Sequence, residues 1–194
     1  MGLELMKRVL VITGATGSGK TTVSSYLAKK YGMPQVITHT TRAPRPGEID
    51  NVDYHFETDA SMAKLHLLER VDYDHHQYGS SYEALDQAWG KNPLISIVLD
   101  TKGAQTYHEQ LGAQAVIIFL TVSHPQALVS RLTERGDQTK PLKQRISSAE
   151  YQRDLRLPPS LTKTAHLIVN DDWQQTQGEL DRLVASIQAE TRSV

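Results

Sequence analysis

Gly14-Ala15-Thr16-Gly17-Ser18-Gly19-Lys20-Thr21, continued by Thr22, is the stretch that decides the fold. It fits the pattern G-x-x-x-x-G-K-[ST]. The preceding residues 8–13, Arg-Val-Leu-Val-Ile-Thr, form a short β-branched run suited to a buried strand. The following residues 19–31 carry Val23, Tyr26, Leu27 and Tyr31 at helical spacing, and Gly32 is placed to cap the end. Strand, glycine-rich turn and helix in that order make a phosphate cradle. The glycines let successive backbone N–H groups point inward, and the helix N-terminus adds partial positive charge. Lys20 is the group to bridge the outer phosphates, and the Thr21 hydroxyl is the group to hold Mg²⁺. An ordinary glycine-rich turn has no need of Lys-Thr in this register. The cradle specifies a nucleoside triphosphate and says nothing about the acceptor.

Length and composition bound the rest. A chain of 194 residues with 39% apolar content makes one domain, or one core with small insertions. The absence of cysteine excludes disulfide scaffolds, thiolate zinc sites and cysteine nucleophiles. Lys and Arg number 21 against 22 Asp and Glu, so the basic excess of a general nucleic-acid coat is missing. The early apolar run Val9–Ile12 is far short of the ~20 residues that span a bilayer. The Met1-Gly2 start has Met6 where a myristoylation pattern wants Ser or Thr. The expectation is a soluble cytoplasmic protein with no membrane and no nucleic-acid partner.

Further along, apolar strands alternate with helices. Strands are expected at 35–38, 94–99, 115–121 and 166–169. Helices are expected at 60–69 (Met62, Leu65 and Leu67 or Leu68 inward), 82–89, 103–111, 124–134 and 141–155. In the last of these, Thr139 would cap and Pro141 would sit in the first turn. A terminal helix over 173–189 carries Leu180, Leu183, Val184 and Ile187 on one face. Such alternation predicts a parallel sheet covered on both sides. The loop-rich, polar interval 33–93 breaks the rhythm and reads as an insertion with its own site. The core is then 1–32 and 94–194. A small lid is expected at about 135–156; residues 131–156 hold seven basic and four acidic residues, net +3, in a chain of −1.

Asp100 ends an apolar strand, where an acid can reach the metal directly or through water. A plain helix-capping role competes with that reading. Candidate acceptor chemistry lies in Thr38-His-Thr-Thr-Arg42-Ala-Pro-Arg45-Pro-Gly47-Glu48 and Asp53-Tyr54-His-Phe56. Two arginines three apart, held by prolines, offer two guanidinium forks to one phosphate, and Tyr54 adds a hydroxyl donor. Three readings follow: a kinase for a small acceptor, a GTPase switch, and an inert binding module. Asp100-Thr-Lys-Gly103 spells the D-x-x-G of a GTPase, but the base-reading N-K-x-D is missing, since Asn170-Asp171-Asp172 lacks the lysine. An inert module is expected to lose its cradle, and this chain keeps Lys20 and Thr21.

On these residues the sequence resembles the guanylate kinase family. The family segment S-x-T-T-R-x-P-R-x-G-E…D-Y-x-F runs from Thr38 to Phe56, with Thr in place of the first Ser. Tyr78-Gly79-Ser80, L-D-x-x-G-A at 99–104, R-L-x-x-R-G at 131–136 and I-V-N-D-D at 168–172 follow in order, so nearly the whole chain is covered. The resemblance implies a P-loop NTPase fold of α/β class: three layers, a parallel central sheet, an inserted NMP-binding subdomain and a small helical lid. It implies transfer of the ATP γ-phosphate to GMP with Mg²⁺, by a monomer or homodimer.

Carried over, residues 14–22 and Asn170 bind ATP. Thr38, Arg42, Arg45, Tyr54 and Tyr78 hold the GMP phosphate. Ser80 and an acid near Glu69 read guanine, and Glu48 and Asp100 complete the acceptor set. Lys20, Arg42 and the lid arginines Arg135 and Arg145 serve the transfer. A carboxylate accepts from guanine N1–H and the exocyclic amine together; adenine lacks that pair. Four departures stand out. The interval from Phe56 to Tyr78 is a few residues short. Asp72 and Asp74 compete with Glu69, and Val98 replaces an acid. His75-His76 reads as exposed loop histidines rather than a metal site. The alternative is a P-loop kinase of the same fold with another phosphorylated acceptor, or a non-catalytic module.

Overall fold

The computed structural model describes residues 6–73, 75–134 and 146–190. Strand β1 (Arg8–Thr13) is buried along its whole length. It pairs in parallel with β6 (Leu94–Val98) on one side and β7 (Ala115–Thr121) on the other, and β8 (His166–Val169) pairs with β7. The resulting four-stranded parallel sheet has the order β6-β1-β7-β8. β1, β6 and β7 are largely apolar because both their faces are covered, whereas the edge strand β8 buries only Ile168. Leu10 and Ile12 pack with Val23 and Leu27 of α1 (Lys20–Tyr31) and with Leu180, Val184 and Ile187 of the terminal helix α7 (Trp173–Glu190). Val9 and Val11 face the opposite way, onto Leu85 and Ala88 of α3 (Tyr82–Trp89) and Ala104 and Tyr107 of α4 (Thr101–Leu111). A third cluster joins Ala15 of the cradle to Leu128 and Leu132 of α5 (Pro125–Glu134) and to Tyr151 of α6 (Ala149–Asp154).

The core strands and helices stand close to where the periodicity puts them. The interval 33–93 is different. The expected strand at 35–38 is reduced to a single bridge, Gln35 to Ser96, and the extended stretch comes later, as β2 (His39–Thr40). The expected helix at 60–69 is only α2 (Asp59–Met62), closed by a capping box between Thr58 and Ser61. The chain then becomes β4 (Leu67–Tyr73), which pairs antiparallel with β5 (His76–Ser81). With β3 (His55–Phe56) these strands form a second sheet of order β3-β2-β5-β4. A short apolar run such as Leu65 to Leu68 fits helix and strand alike, and the partner strand decides. Within the expected 141–155 helix the described residues include α6, whose N-cap is Ser148. Residues 135–145, with Arg135, Thr139, Pro141 and Arg145, lie outside the described residues, as does Asp74.

Candidate active site

The glycine-rich turn has the backbone its sequence demands. Gly14 and Gly19 take φ of 129° and 102°, a region that L side chains rarely enter. A Cβ on Gly14 would collide with the Leu120 carbonyl, and one on Gly19 with the Asn170 amide. Lys20 opens α1 directly after Gly19. Its ammonium lies over the turn, donating to the carbonyls of Gly14 at 2.6 Å and Ala15 at 3.1 Å. Thr16, Gly17, Gly19, Lys20, Thr21, Thr22, Arg131 and Asn170 line a cleft of about 720 Å³, with Trp173 at its edge. Ala15 and Ser18 are buried behind it.

Asn170 braces this wall. Its amide donates to Ser18 O at 2.8 Å and accepts from Thr176 Oγ1 at 2.9 Å. Its backbone carbonyl accepts from Arg131 at 2.8 Å. In the sequence Arg131 is one charge of a basic segment and the first residue of the R-L-x-x-R-G match, with no role attached. The structure puts it in the cleft with the cradle.

A second cleft, of about 400 Å³, is lined by Thr38, Tyr54, Glu69, Tyr78, Val98, Asp100 and Arg153 among others, and Thr16 lines it too. The two clefts therefore meet at the cradle. The pleat of β4 settles which acid faces the second one. Glu69 and Val71 point inward, while the Asp72 side chain is 67% exposed and pairs with Arg70 on the far face. Burial, then the charge of Asp100, pushes the Glu69 carboxyl up to about 7 against the pull of hydrogen bonding from Ser80. Ser80 itself is fully buried beneath the cleft.

Asp100 does two jobs at once. One carboxylate oxygen caps α4, accepting from Gly103 N at 2.7 Å; the other accepts from Arg153 at 2.6 Å. Arg153 also donates to Asp154, which is buried and accepts from Thr101 Oγ1 at 2.5 Å. This knot ties α6 to the start of α4, and no sequence pattern points to Arg153.

The arginine loop is assembled around one acid. Glu48 accepts from the Arg42 guanidinium at 2.9 Å with one oxygen and from Arg45 N at 2.7 Å with the other. Arg42 holds the Glu48 carboxyl below the usual range. The Arg42 guanidinium lies 5.6 Å from the Tyr54 ring and 5.9 Å from Phe56. Its Nε is buried and has no hydrogen-bond partner among the described residues. Arg45 is exposed. Burial raises the Tyr54 phenol. Thus Thr38, Arg42, Tyr54, Glu69, Tyr78 and Asp100 come together, with Arg45 and Glu48 adjoining.

Beside this site, His39 bridges Glu57 at 2.9 Å and Ser81 at 2.8 Å. The order of groups is that of a hydrolase triad, but Ser81 is fully buried and accepts from Ala84 N as the cap of α3. It is a brace. His75 stands in the β4–β5 turn with φ of 64°, and no cluster of three potential metal ligands occurs among the described residues. No helix among them is long and apolar enough to cross a membrane.

Comparison with known proteins follows the same outline. A family model described as guanylate kinase matches residues 6–187. The guanylate kinase of Neisseria gonorrhoeae is 31% identical over 182 residues, covering 91% of this chain and 86% of that one. The guanylate kinase of Desulfotalea psychrophila is 30% identical over 191 residues, covering 95% and 92%. The crystal structure of guanylate kinase from Anaplasma phagocytophilum superposes with a TM-score of 0.65 at 19% identity, over 96% of this chain and 89% of that one, and so shares the fold. With a family model spanning residues 6–187 and relatives of 30–31% identity covered over most of their length, the chain belongs to the guanylate kinase family.

Proposed function

We propose that the protein transfers the γ-phosphate of ATP to GMP, giving ADP and GDP. The observation that carries this is the meeting of two clefts at Thr16: one built on the cradle, the other ending at a half-buried acid, Glu69. In this reading residues 14–22 hold the donor phosphates. Lys20 exchanges the Gly14 and Ala15 carbonyls for phosphate oxygens. Arg42, Arg45, Tyr54, Tyr78 and Thr38 hold the acceptor phosphate, and the unpaired Arg42 Nε–H is a donor already desolvated for it. Glu69 accepts from the guanine N1–H and amine. Glu48 acts by holding Arg42.

The acceptor phosphate oxygen is an anion and needs no base. The protein must align donor and acceptor, spread the developing charge over Lys20 and the arginines, and keep water out. Arg135 and Arg145 are proposed for the same task from outside the described residues. Thr21 fits Mg²⁺, being a hydroxyl at the cleft wall beside Lys20. Asp100, whose oxygens are held by Gly103 N and Arg153, would reach it through water. The ion supplies charge neutralisation at the triphosphate. Residues 33–93 are proposed as the acceptor-binding insertion, 1–32 and 94–194 as the core, and the setting as the cytoplasm.

Val98 favours a second reading. It puts an aliphatic wall in the acceptor cleft, and a kinase of this fold with another phosphorylated acceptor would tolerate it. One coupled assay of ADP release with GMP, dGMP, AMP, CMP and UMP decides. Turnover confined to the guanine nucleotides is expected; preference for any other acceptor overturns the first reading.

A further inference from the structure

Tyr107 has no place in the transfer, yet among the described residues it is the largest fully buried polar side chain of the core. It sits in the middle of α4, where a helix facing the sheet ordinarily carries an aliphatic residue. Its hydroxyl donates to Ser80 Oγ at 2.8 Å, and Ser80 Oγ in turn donates to Glu69 Oε1 at 3.4 Å. Ser80 is fully buried at the end of β5, so the chain runs from the core helix, through the second sheet, to the acid in the acceptor cleft.

A serine hydroxyl has one proton and two lone pairs. A phenol that gives its own proton to Ser80 fills one lone pair and leaves the serine proton to go to Glu69. Donation into the serine oxygen also polarises its O–H and strengthens the onward bond.

We propose that Tyr107 is a specificity-determining positioning residue: through Ser80 it holds the Glu69 carboxylate as the pair of acceptors that receives the guanine edge. This rests on the reading of Glu69 as the base-recognising acid. Other polar groups line the same cleft as Glu69 and stay unchanged in the test: Tyr54 beside β3, Tyr78 on β5, Asp100 before α4, and Glu150, Arg153 and Asp154 on α6.

The experiment is steady-state kinetics of the full-length wild type, Tyr107→Phe, Ser80→Ala and the double variant, from pH 6 to 9, with GMP and AMP as acceptors. Phenylalanine keeps the ring and removes only the donor. For Tyr107→Phe at pH 7, KM for GMP is expected to rise roughly three- to tenfold, the scale of one lost hydrogen bond. KM for ATP and kcat at saturating GMP stay within about twofold. The midpoint of the GMP KM against pH moves upward, because a less supported carboxylate holds its proton longer. In the Ser80→Ala background the same change adds nothing.

An unchanged GMP KM and midpoint in a GMP-specific enzyme overturns the role of Tyr107 and leaves Glu69 standing. So does additivity with Ser80→Ala, and so does an equal loss for ATP, GMP and folding. A wild type that phosphorylates AMP or CMP but not GMP overturns the guanine reading, and this proposal with it.

Discussion

At the scale of single residues, two side chains carry most of the proposed chemistry, and each predicts something different. Lys20 lies over its own turn at the cleft wall, outside the three apolar clusters, so its loss leaves the core intact. Lys20→Ala is expected to lower kcat about a hundredfold or more, the scale for one lost charge-stabilising donor, with an unchanged circular dichroism spectrum. Near-normal turnover of the purified variant would remove the lysine from the mechanism. Glu69 predicts a pH effect. Burial pushes its carboxyl up to about 7, and only the ionised form accepts from two guanine donors. As pH falls through 7 the protonated fraction grows, so KM for GMP rises on the acid side and levels off on the alkaline side, while KM for ATP stays flat. AMP has the same phosphate and separates the titration of the ligand from that of the protein. In Glu69→Gln the acid limb specific to GMP should vanish and the preference for GMP over AMP should collapse. An unchanged ratio would exclude Glu69 as the base reader.

At the scale of elements, the alternation of β4 does what no roll of acids could. Glu69 and Asp72 lie three apart, so they stand on opposite faces of a strand, while three apart in a helix is the same face. The sequence leaves the choice open, because the helix expected over 60–69 stops short of Asp72 and no strand is expected there. The arginine loop is the opposite case. Its prolines and its Arg-x-x-Arg spacing mark it as a phosphate holder, and the structure adds the reason it is shaped: Glu48 ties Arg42 and the Arg45 amide together. Arg45 itself stands exposed at the rim. Arg45→Ala is therefore expected to raise KM for GMP at least tenfold and that for ATP less than twofold, since a charged hydrogen bond to a phosphate is worth about 1.5–3 kcal/mol. Equal losses for the two substrates would argue against separate sites.

At the scale of the whole molecule, the donor cleft is built on the cradle that follows β1, whereas the acceptor cleft is walled by the second sheet, the end of β6 with Leu99 and Asp100, and α6, and one residue of the cradle touches both. Water must leave when both substrates are bound, which predicts that the insertion swings toward the core. Small-angle scattering of the free protein and of the protein saturated with a bisubstrate nucleotide should show a smaller radius of gyration for the second; superimposable profiles would count against closure. Much of this is legible in the chain. The cradle, the core strands, α1 and α7 follow from local spacing, because a buried parallel strand and an amphipathic helix each carry their own period. The arginine loop follows from residue type and proline placement. The β4–β5 hairpin, the inward turn of Glu69, the double engagement of Asp100 by Gly103 and Arg153, and the line from Tyr107 through Ser80 depend on pairings between distant segments. Those are set by which strand finds which partner and which carboxylate loses its water, and only the folded chain decides them.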